Sequence, residues 1–167
     1  MFPHELIQQA AALVAAFEEK GLMLVTAESC TGGLIAGCLT EVAGSSAVVE
    51  RGFVTYSNNA KIELLGVPPA LLQRHGAVSD EVARAMAAGA LTRSPADLAV
   101  SATGVAGPGG GSAEKPIGLV FLGGARRNGT VEQRAPLARR FVFSGDRDAV
   151  RLAAVTAALE LLAELGS

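Results

Sequence analysis

The spacing of apolar residues predicts an alternation of helices and strands along the chain. Leu6, Ala10, Leu13 and Phe17 recur every three or four residues, which predicts a first helix, and Gly21 stands where a glycine would end it. Short apolar runs, rich in β-branched residues, predict strands. Further helices are predicted over 30–42, 58–65, 80–91 and 146–165, and strands over 22–25, 48–56, 98–102, 117–123 and 140–143.

The order of these elements predicts an α/β fold. The run 98–102 is typical of a central strand that is covered on both faces. Gly52 interrupts its strand and suggests a bulge, and Asn128-Gly129 favours an antiparallel hairpin between the last two strands. We therefore expect residues 1–167 to form a single domain, a three-layer α/β/α sandwich with a mixed sheet.

Composition narrows the classes of function. Half of the 167 residues are hydrophobic and 18% are charged, which excludes a largely disordered chain. The formal net charge of −2 argues against a general nucleic-acid binder, and no apolar run is long enough to span a bilayer. With no export signal, we expect a cytoplasmic protein in which Cys30 and Cys38 are free thiols. Two Cys and two His, scattered along the chain, make no zinc site.

The segment Thr26-Ala27-Glu28-Ser29-Cys30-Thr31-Gly32-Gly33 carries the strongest chemical signal. It joins a predicted strand to a predicted helix, and ligands of open α/β sheets bind at the carboxyl ends of strands. Ser29 is the leading candidate for a nucleophile, whereas the structural alternative makes the same serine an N-cap. Two glycines in a first turn cost helix stability, which favours a close approach of ligand to backbone there.

A serine nucleophile requires a base, and lysine is the best candidate in this chain. His4 lies near the terminus and His75 lies in a turn, so neither indicates a triad. Lys61 follows a predicted strand end and can face the same rim as Ser29, although a solvated helix lysine is the structural alternative. A Ser–Lys pair needs a neutral amine, so burial must lower the lysine pKa by about three units.

Other polar groups have open roles. Tyr56, the single tyrosine, can hydrogen-bond the nucleophile, relay a proton, stack on a ring or cover the core. Glu28 can orient a ligand hydroxyl or Lys61, or be an exposed turn carboxylate. The glycine-rich stretch 103–112 can approach an anion, yet it matches neither a P-loop nor a Rossmann fingerprint. Residues 144–148 with Arg151 form either a phosphate clamp or a cap with an intrahelical ion pair.

Taken together, these segments resemble the CinA C-terminal domain family. They occur in the order found in that family and span nearly the whole chain, whereas Arg51 and Val105 stand where the family often has Gly and Ile. The matching segments are TAESCTGG at 26–33, GFVTYSNNAK at 52–61, GAVSDEVA at 76–83, TGVAGPGGG at 103–111, KPIG at 115–118 and GDR at 145–147.

The resemblance implies a metal-independent serine amidohydrolase that needs no cofactor and converts nicotinamide mononucleotide to nicotinate mononucleotide and ammonia. It implies Ser29 as nucleophile, Lys61 as base and Tyr56 beside them, in a stand-alone form of the domain. We also expect a homo-oligomer. The candidate substrate-binding residues are Glu28, Cys30, Thr31, Gly32, Gly33, Asn58, Thr103, Gly104, Gly107 and Arg147.

Two alternatives remain open at this point. Cys30 also lies at the start of the predicted helix, where a thiol has a lowered pKa and reacts readily. The other alternative is a nucleotide-binding or regulatory module without catalysis. The joint presence of Ser29, Tyr56 and Lys61 favours an enzyme over such a module.

Overall fold

Five strands form one mixed sheet in the computed structural model, which describes residues 2–167. The strands are β1 Leu24–Glu28, β2 Val49–Val54, β3 Leu98–Gly104, β4 Leu119–Arg126 and β5 Leu137–Val142. Their order across the sheet is β2-β1-β3-β4-β5. The first three run parallel, and β4 pairs antiparallel with both β3 and β5. The predicted mixed sheet is confirmed.

Seven α-helices and one short 3-10 turn over Ser45–Ala47 connect and cover the strands. Within residues 2–167, no helix has both the length and the apolar character needed to cross a membrane. The helices are α1 His4–Lys20, α2 Leu34–Thr40, α3 Asn58–Leu65, α4 Pro69–His75, α5 Asp80–Thr92, α6 Val131–Arg134 and α7 Arg147–Leu165.

The core is divided by the sheet into two hydrophobic clusters. Successive side chains of a strand point to opposite faces, so Leu24 and Leu98 pack with α1, α2 and α7, whereas Val25 and Ala99 pack with α3, α4 and α5. All five residues of β1 are buried because β1 has a strand on each side and helices on both faces. This arrangement is the predicted α/β/α sandwich.

The connections out of β1 and β2 create a crevice at one edge of the sheet. Helix α2 leads from β1 to β2 across one face, and α3 to α5 lead from β2 to β3 across the other. The carboxyl ends of the three parallel strands therefore meet where the connections diverge, which is the usual ligand site of open α/β sheets. The candidate residues after β1, β2 and β3 are brought together at this edge.

The chain between β1 and α2 differs from the sequence prediction. Strand β1 continues to Glu28, and α2 begins at Leu34 instead of residue 30. Gly32 and Gly33 have φ values of +60° and +98°, a left-handed conformation that L side chains rarely adopt. These glycines delay the helix by one turn, so Ser29 does not act as its N-cap.

Several boundaries at the sheet edges also differ. The irregular register of β2 lies opposite Leu24 and Val25 and not at Gly52. A Cβ at Gly52 would lie 2.9 Å from Thr26 Oγ1, so this glycine serves close packing. The antiparallel pairing of β4 with β5 is confirmed, but α6, capped by Thr130, replaces the predicted tight turn. Helix α4 was not predicted, because the prolines at 68 and 69 indicated only the end of the preceding helix, whereas Pro69 is the first residue of α4.

Candidate active site

Ser29 and Lys61 form a direct contact at the crevice. The Ser29 hydroxyl lies just beyond β1, and its Oγ is 2.9 Å from Lys61 Nζ. Lys61 is 1% exposed although it carries an amine, which rules out the solvated helix lysine considered from the sequence. The two residues come from different strand–helix units and meet because β1 and β2 are parallel neighbours.

Three oxygen atoms surround the Lys61 amine. Besides Ser29 Oγ, Nζ lies 2.8 Å from Thr55 O and 3.2 Å from Tyr56 O. In the described part of the chain no carboxylate pairs with this amine. Burial lowers the pKa of Lys61, because the ammonium form loses hydration without gaining an anionic partner. A neutral amine has two N–H groups for the two carbonyls, which leaves its lone pair for the serine.

Local geometry explains how Lys61 reaches this position. Ser57 Oγ caps α3 by accepting a hydrogen bond from Ala60 N, so the helix begins directly after the chain leaves β2. Helical side chains point back toward the helix N-terminus. The Lys61 side chain, in the first turns of α3, therefore extends to the carbonyls of Thr55 and Tyr56.

The thiol of Cys30 has a different environment from the serine hydroxyl. Cys30 is buried, and burial raises the pKa of its thiol to about 11. The thiol is therefore protonated at neutral pH, in contrast to the lowered pKa that a helix N-terminus would give. Because α2 begins four residues later, Cys30 does not occupy that N-terminus. The geometry favours Ser29 over Cys30 as the nucleophile.

The carboxylate of Glu28 holds the turn that follows it. Glu28 is completely buried and accepts hydrogen bonds from the backbone N–H groups of Gly33, Ile35 and Ala36, at 2.9 to 3.0 Å. The Thr26 hydroxyl donates a fourth bond at 3.1 Å. Glu28 thus caps α2 in place of a serine, and it neither contacts Lys61 nor lines the cavity, in contrast to the roles considered from the sequence.

Replacing Glu28 with alanine is expected to lower the free energy of unfolding by about 3 kcal/mol, because one buried and two partly buried N–H groups lose their acceptor. Urea denaturation measures this change. The control is Glu63→Ala, which removes an exposed glutamate of α3. Equal effects of the two substitutions would contradict the capping role.

Few backbone donors of the turn remain free for a ligand. Gly32 N bonds to Ser29 O at 3.1 Å, and Gly33 N bonds to Glu28. Thr31 is completely buried, and its hydroxyl has no partner among the described residues. Cys30 lies in the cavity wall, and no oxygen atom of residues 2–167 accepts a hydrogen bond from its backbone N–H. Thr31 N–H also has no oxygen acceptor among these residues, but Thr31 does not line the cavity, so the Cys30 N–H is the one placed for a bound oxyanion.

A cavity of about 220 Å³ opens above the Ser29–Lys61 pair. Tyr56 lies at its rim with 65% of its surface exposed, and its hydroxyl makes no hydrogen bond within the described residues. Arg147 lines the cavity and donates from Nη1 to Gly107 O at 2.8 Å. The lining residues are Ser29, Cys30, Tyr56, Lys61, Ala77, Val78, Thr103, Gly104, Ala106 and Arg147.

Several of the candidate residues lie outside this cavity. Thr31, Gly32 and Gly33 shape the turn, Asn58 is exposed at the start of α3, and Gly107 holds Arg147 through its carbonyl. The Thr103 hydroxyl, although at the cavity, donates to Ala77 O. In the part of the chain that the structure describes, no group of three His, Cys, Asp or Glu side chains could hold a metal ion.

Sequence reasoning missed part of the cavity wall. Ala77 and Val78 lie in the loop before α5, and Ala106 follows β3. These small apolar side chains carry no chemical signal of their own. Arg151, considered for a phosphate clamp, does not line the cavity and instead contacts the carbonyls of Cys30 and Thr31.

Comparison with known proteins relates this geometry to a family. The family model described as the CinA C-terminal domain matches residues 7–165. Nicotinamide-nucleotide amidohydrolase PncC of Enterobacter agglomerans is 54% identical over 146 residues, covering 87% of this chain and 86% of that protein. PncC of Escherichia coli K12 is 49% identical over 162 residues, covering 97% and 95%.

A solved structure agrees over the whole fold. The competence/damage inducible protein CihA from Agrobacterium tumefaciens superposes with a TM-score of 0.94 and 52% sequence identity. The alignment covers 100% of this chain and 99% of that one. The sequence match and the shared fold lead to the same conclusion: this chain belongs to the CinA C-terminal domain family.

Proposed function

We propose that this protein is an amidohydrolase that converts nicotinamide mononucleotide (NMN) to nicotinate mononucleotide and ammonia. Relatives that are about half identical over most of the chain are named for this activity. The observation that carries the proposal is the 2.9 Å contact between Ser29 Oγ and the buried amine of Lys61. An alcohol beside a neutral amine is a nucleophile with its base.

Acylation begins with attack of Ser29 Oγ on the carboxamide carbon. The serine proton moves to Lys61 Nζ, and the carbonyl oxygen becomes an oxyanion that accepts a hydrogen bond from Cys30 N–H. The C–N bond then breaks, and the departing nitrogen takes the proton from Lys61 to leave as ammonia. A preorganised oxyanion donor contributes about 3–4 kcal/mol to such a step.

Hydrolysis of the acyl-enzyme uses the same groups in reverse. Water attacks the ester carbon while Lys61 Nζ accepts a water proton. The bond from carbon to Ser29 Oγ breaks, Ser29 recovers its proton from Lys61, and the product carboxylic acid releases its remaining proton to solvent and leaves as nicotinate mononucleotide. One lysine serves as base and acid in both steps, which requires an amine whose pKa lies near the working pH.

The shape of the site supports one orientation of NMN. The carboxamide must reach Ser29, and the ring then lies in the cavity between Tyr56 and the loop that carries Ala77. The phosphate extends toward Arg147, whose guanidinium retains N–H groups beyond the one that Gly107 O accepts. The 103–111 stretch contributes Thr103, Gly104 and Ala106 to the wall.

Purified protein incubated with NMN tests the proposal directly. Ammonia and nicotinate mononucleotide should appear in equal amounts, measured by a coupled enzymatic assay and by chromatography, and EDTA should leave the rate unchanged. Binding of NMN without turnover at neutral and alkaline pH would instead support the non-catalytic nucleotide-binding module.

Two substitutions of Tyr56 distinguish a stacking role of its exposed ring from a role of its hydroxyl in proton transfer. The pyridinium ring of NMN is a cation, and an aromatic face attracts cations. Since only the main-chain oxygen of Tyr56 contacts Lys61, we expect Tyr56→Phe to keep kcat and KM within about threefold. Tyr56→Ala should raise KM about tenfold, since a cation–π contact contributes roughly 1–2 kcal/mol. Steady-state kinetics decide, and a large loss of kcat in Tyr56→Phe would indicate a proton relay.

Self-association and a cytoplasmic location remain predictions. Strands β2 and β5 form open edges of the sheet, and Val54 and Val142 are exposed there, which is compatible with pairing between copies. Cys30 and Cys38 are free and buried, as expected in a reducing compartment.

A further inference from the structure

Arg151 of α7 contacts residues 29–33, the nucleophile turn, without lining the cavity. Its Nε donates to Cys30 O at 3.2 Å and its Nη2 donates to Thr31 O at 3.0 Å. The side chain is half-buried, and it binds two successive carbonyls of a segment 120 positions earlier in the chain. A guanidinium presents its N–H groups in a rigid fork, which fixes the orientation of both peptide groups.

One of these contacts leads through backbone hydrogen bonds to the cavity. Thr31 O, which accepts from Arg151, belongs to the same peptide group as Gly32 N–H. Gly32 N–H donates to Ser29 O at 3.1 Å, and Ser29 O belongs to the same peptide group as Cys30 N–H. Two peptide groups therefore link the guanidinium to the free N–H in the cavity wall.

We propose that Arg151 is a positioning residue that holds and polarises the Cys30 N–H for the oxyanion. Hydrogen bonds in series polarise one another, and a charged donor at the start strengthens those that follow. The oxyanion exists only during the reaction, so this effect stabilises the transition state more than bound substrate. The proposal rests on the proposed amidohydrolase function, and it assigns Arg151 no contact with substrate.

Glu28 and Arg151 hold different groups of the turn. Glu28 accepts from the N–H groups of Gly33, Ile35 and Ala36, whereas Arg151 donates to the carbonyls of Cys30 and Thr31. Without the guanidinium, the peptide group that ends in Gly32 N–H can rotate. The direction of Cys30 N–H then becomes less defined, although Ser29 and Lys61 stay in contact.

Three variants test this role with NMN as substrate. We expect Arg151→Met to lower kcat by about 10- to 100-fold with KM within about threefold, a fraction of the effect of deleting an oxyanion donor. Arg151→Lys makes one of the two bonds and should lose about 3- to 10-fold. The matched control is Arg139→Met, which removes an arginine that pairs with Glu164 on the surface and should stay within about twofold.

A transition-state analogue separates positioning from general stability. Pyridine-3-boronic acid accepts Ser29 Oγ at boron, and the resulting anionic tetrahedral adduct places an oxygen at the oxyanion position. Its inhibition constant should rise in Arg151→Met by the same factor by which kcat falls, while the melting temperature reports folding. Inhibition of the Arg139→Met control should match the parent protein.

The outcomes are distinct. The proposal would be overturned if folded Arg151→Met kept both its kcat and its affinity for the boronic acid within twofold of the parent protein. A raised KM with unchanged kcat would overturn it too, because it would mean that Arg151 binds the nucleotide. If Arg151→Met does not fold, Arg151→Lys decides by the same two measurements. If the parent protein releases no ammonia from NMN, the proposed function fails, and boronic acid affinity measured by thermal shift still tests Arg151.

Discussion

Ser29→Ala is expected to reduce the rate of ammonia release from NMN by about 10⁵-fold. A nucleophile and its base act as one unit, so removing the serine also removes most of what Lys61 contributes to the rate. Among the described side chains the hydroxyl forms a hydrogen bond only with Lys61, so the fold should be retained. Steady-state rates together with the circular dichroism spectrum measure both quantities.

Cys30→Ala is the matched control for this experiment. It removes the neighbouring thiol, which is buried and protonated at neutral pH, and leaves the backbone N–H in place. We expect its rate to stay within about tenfold of the parent protein. Ammonia release that survives Ser29→Ala but disappears in Cys30→Ala would identify the thiol as nucleophile and overturn the mechanism.

Lys61→Met should lower kcat by about 10⁴-fold, because Ser29 then has no base within hydrogen-bond distance. In the parent protein, kcat should rise with pH as the Lys61 ammonium loses its proton and should level off below the ordinary lysine pKa of 10.5. Lys61→Arg keeps the positive charge but cannot act as a base. Rate measurements over this pH range test the assignment, and wild-type activity in Lys61→Arg would exclude it.

The same group makes stability depend on pH. The folded-state pKa of Lys61 is lowered below 10.5, so between these two values the unfolded chain binds one proton more than the folded protein. The free energy of unfolding therefore rises with pH across that window, by up to about 1.4 kcal/mol per pH unit. Below the folded-state pKa, the cost of burying the charged amine is present in full. Urea denaturation of Lys61→Met should lack this rise, whereas an identical pH dependence would place the titration elsewhere.

Much of the fold was predictable because its signals are local. Helix α5 begins at Asp80 after the predicted Ser79 cap, and α3 covers the predicted range 58–65. The buried run at the start of β3 predicted a central strand. The sequence alone indicated that Lys61 could face the same rim as Ser29, because both follow predicted strand ends, and the resemblance to the CinA C-terminal domain family implied their pairing.

The remaining features depend on partners that are distant in sequence. From the sequence, Glu28 could be an exposed turn carboxylate. Its capping role becomes clear only when Gly32 and Gly33 are seen in left-handed conformations, which place the N–H groups at the start of α2 within reach of the carboxylate. Arg151 carries no motif that relates it to Cys30, 121 positions away. Such contacts are set by how α7 packs against the sheet, which local propensity does not encode.

The placement of α7 has a consequence for biosynthesis. The nucleophile turn leaves the ribosome early, but the helix that carries Arg147 and Arg151 follows all five strands. Domains generally fold as units, and contacts between distant segments form slowly. A nascent chain therefore exposes the segments of Ser29 and Lys61 well before it contains α7, which completes the core beside β1. Hydrolytic competence should emerge with that final docking, so incomplete chains lack an organised catalytic centre.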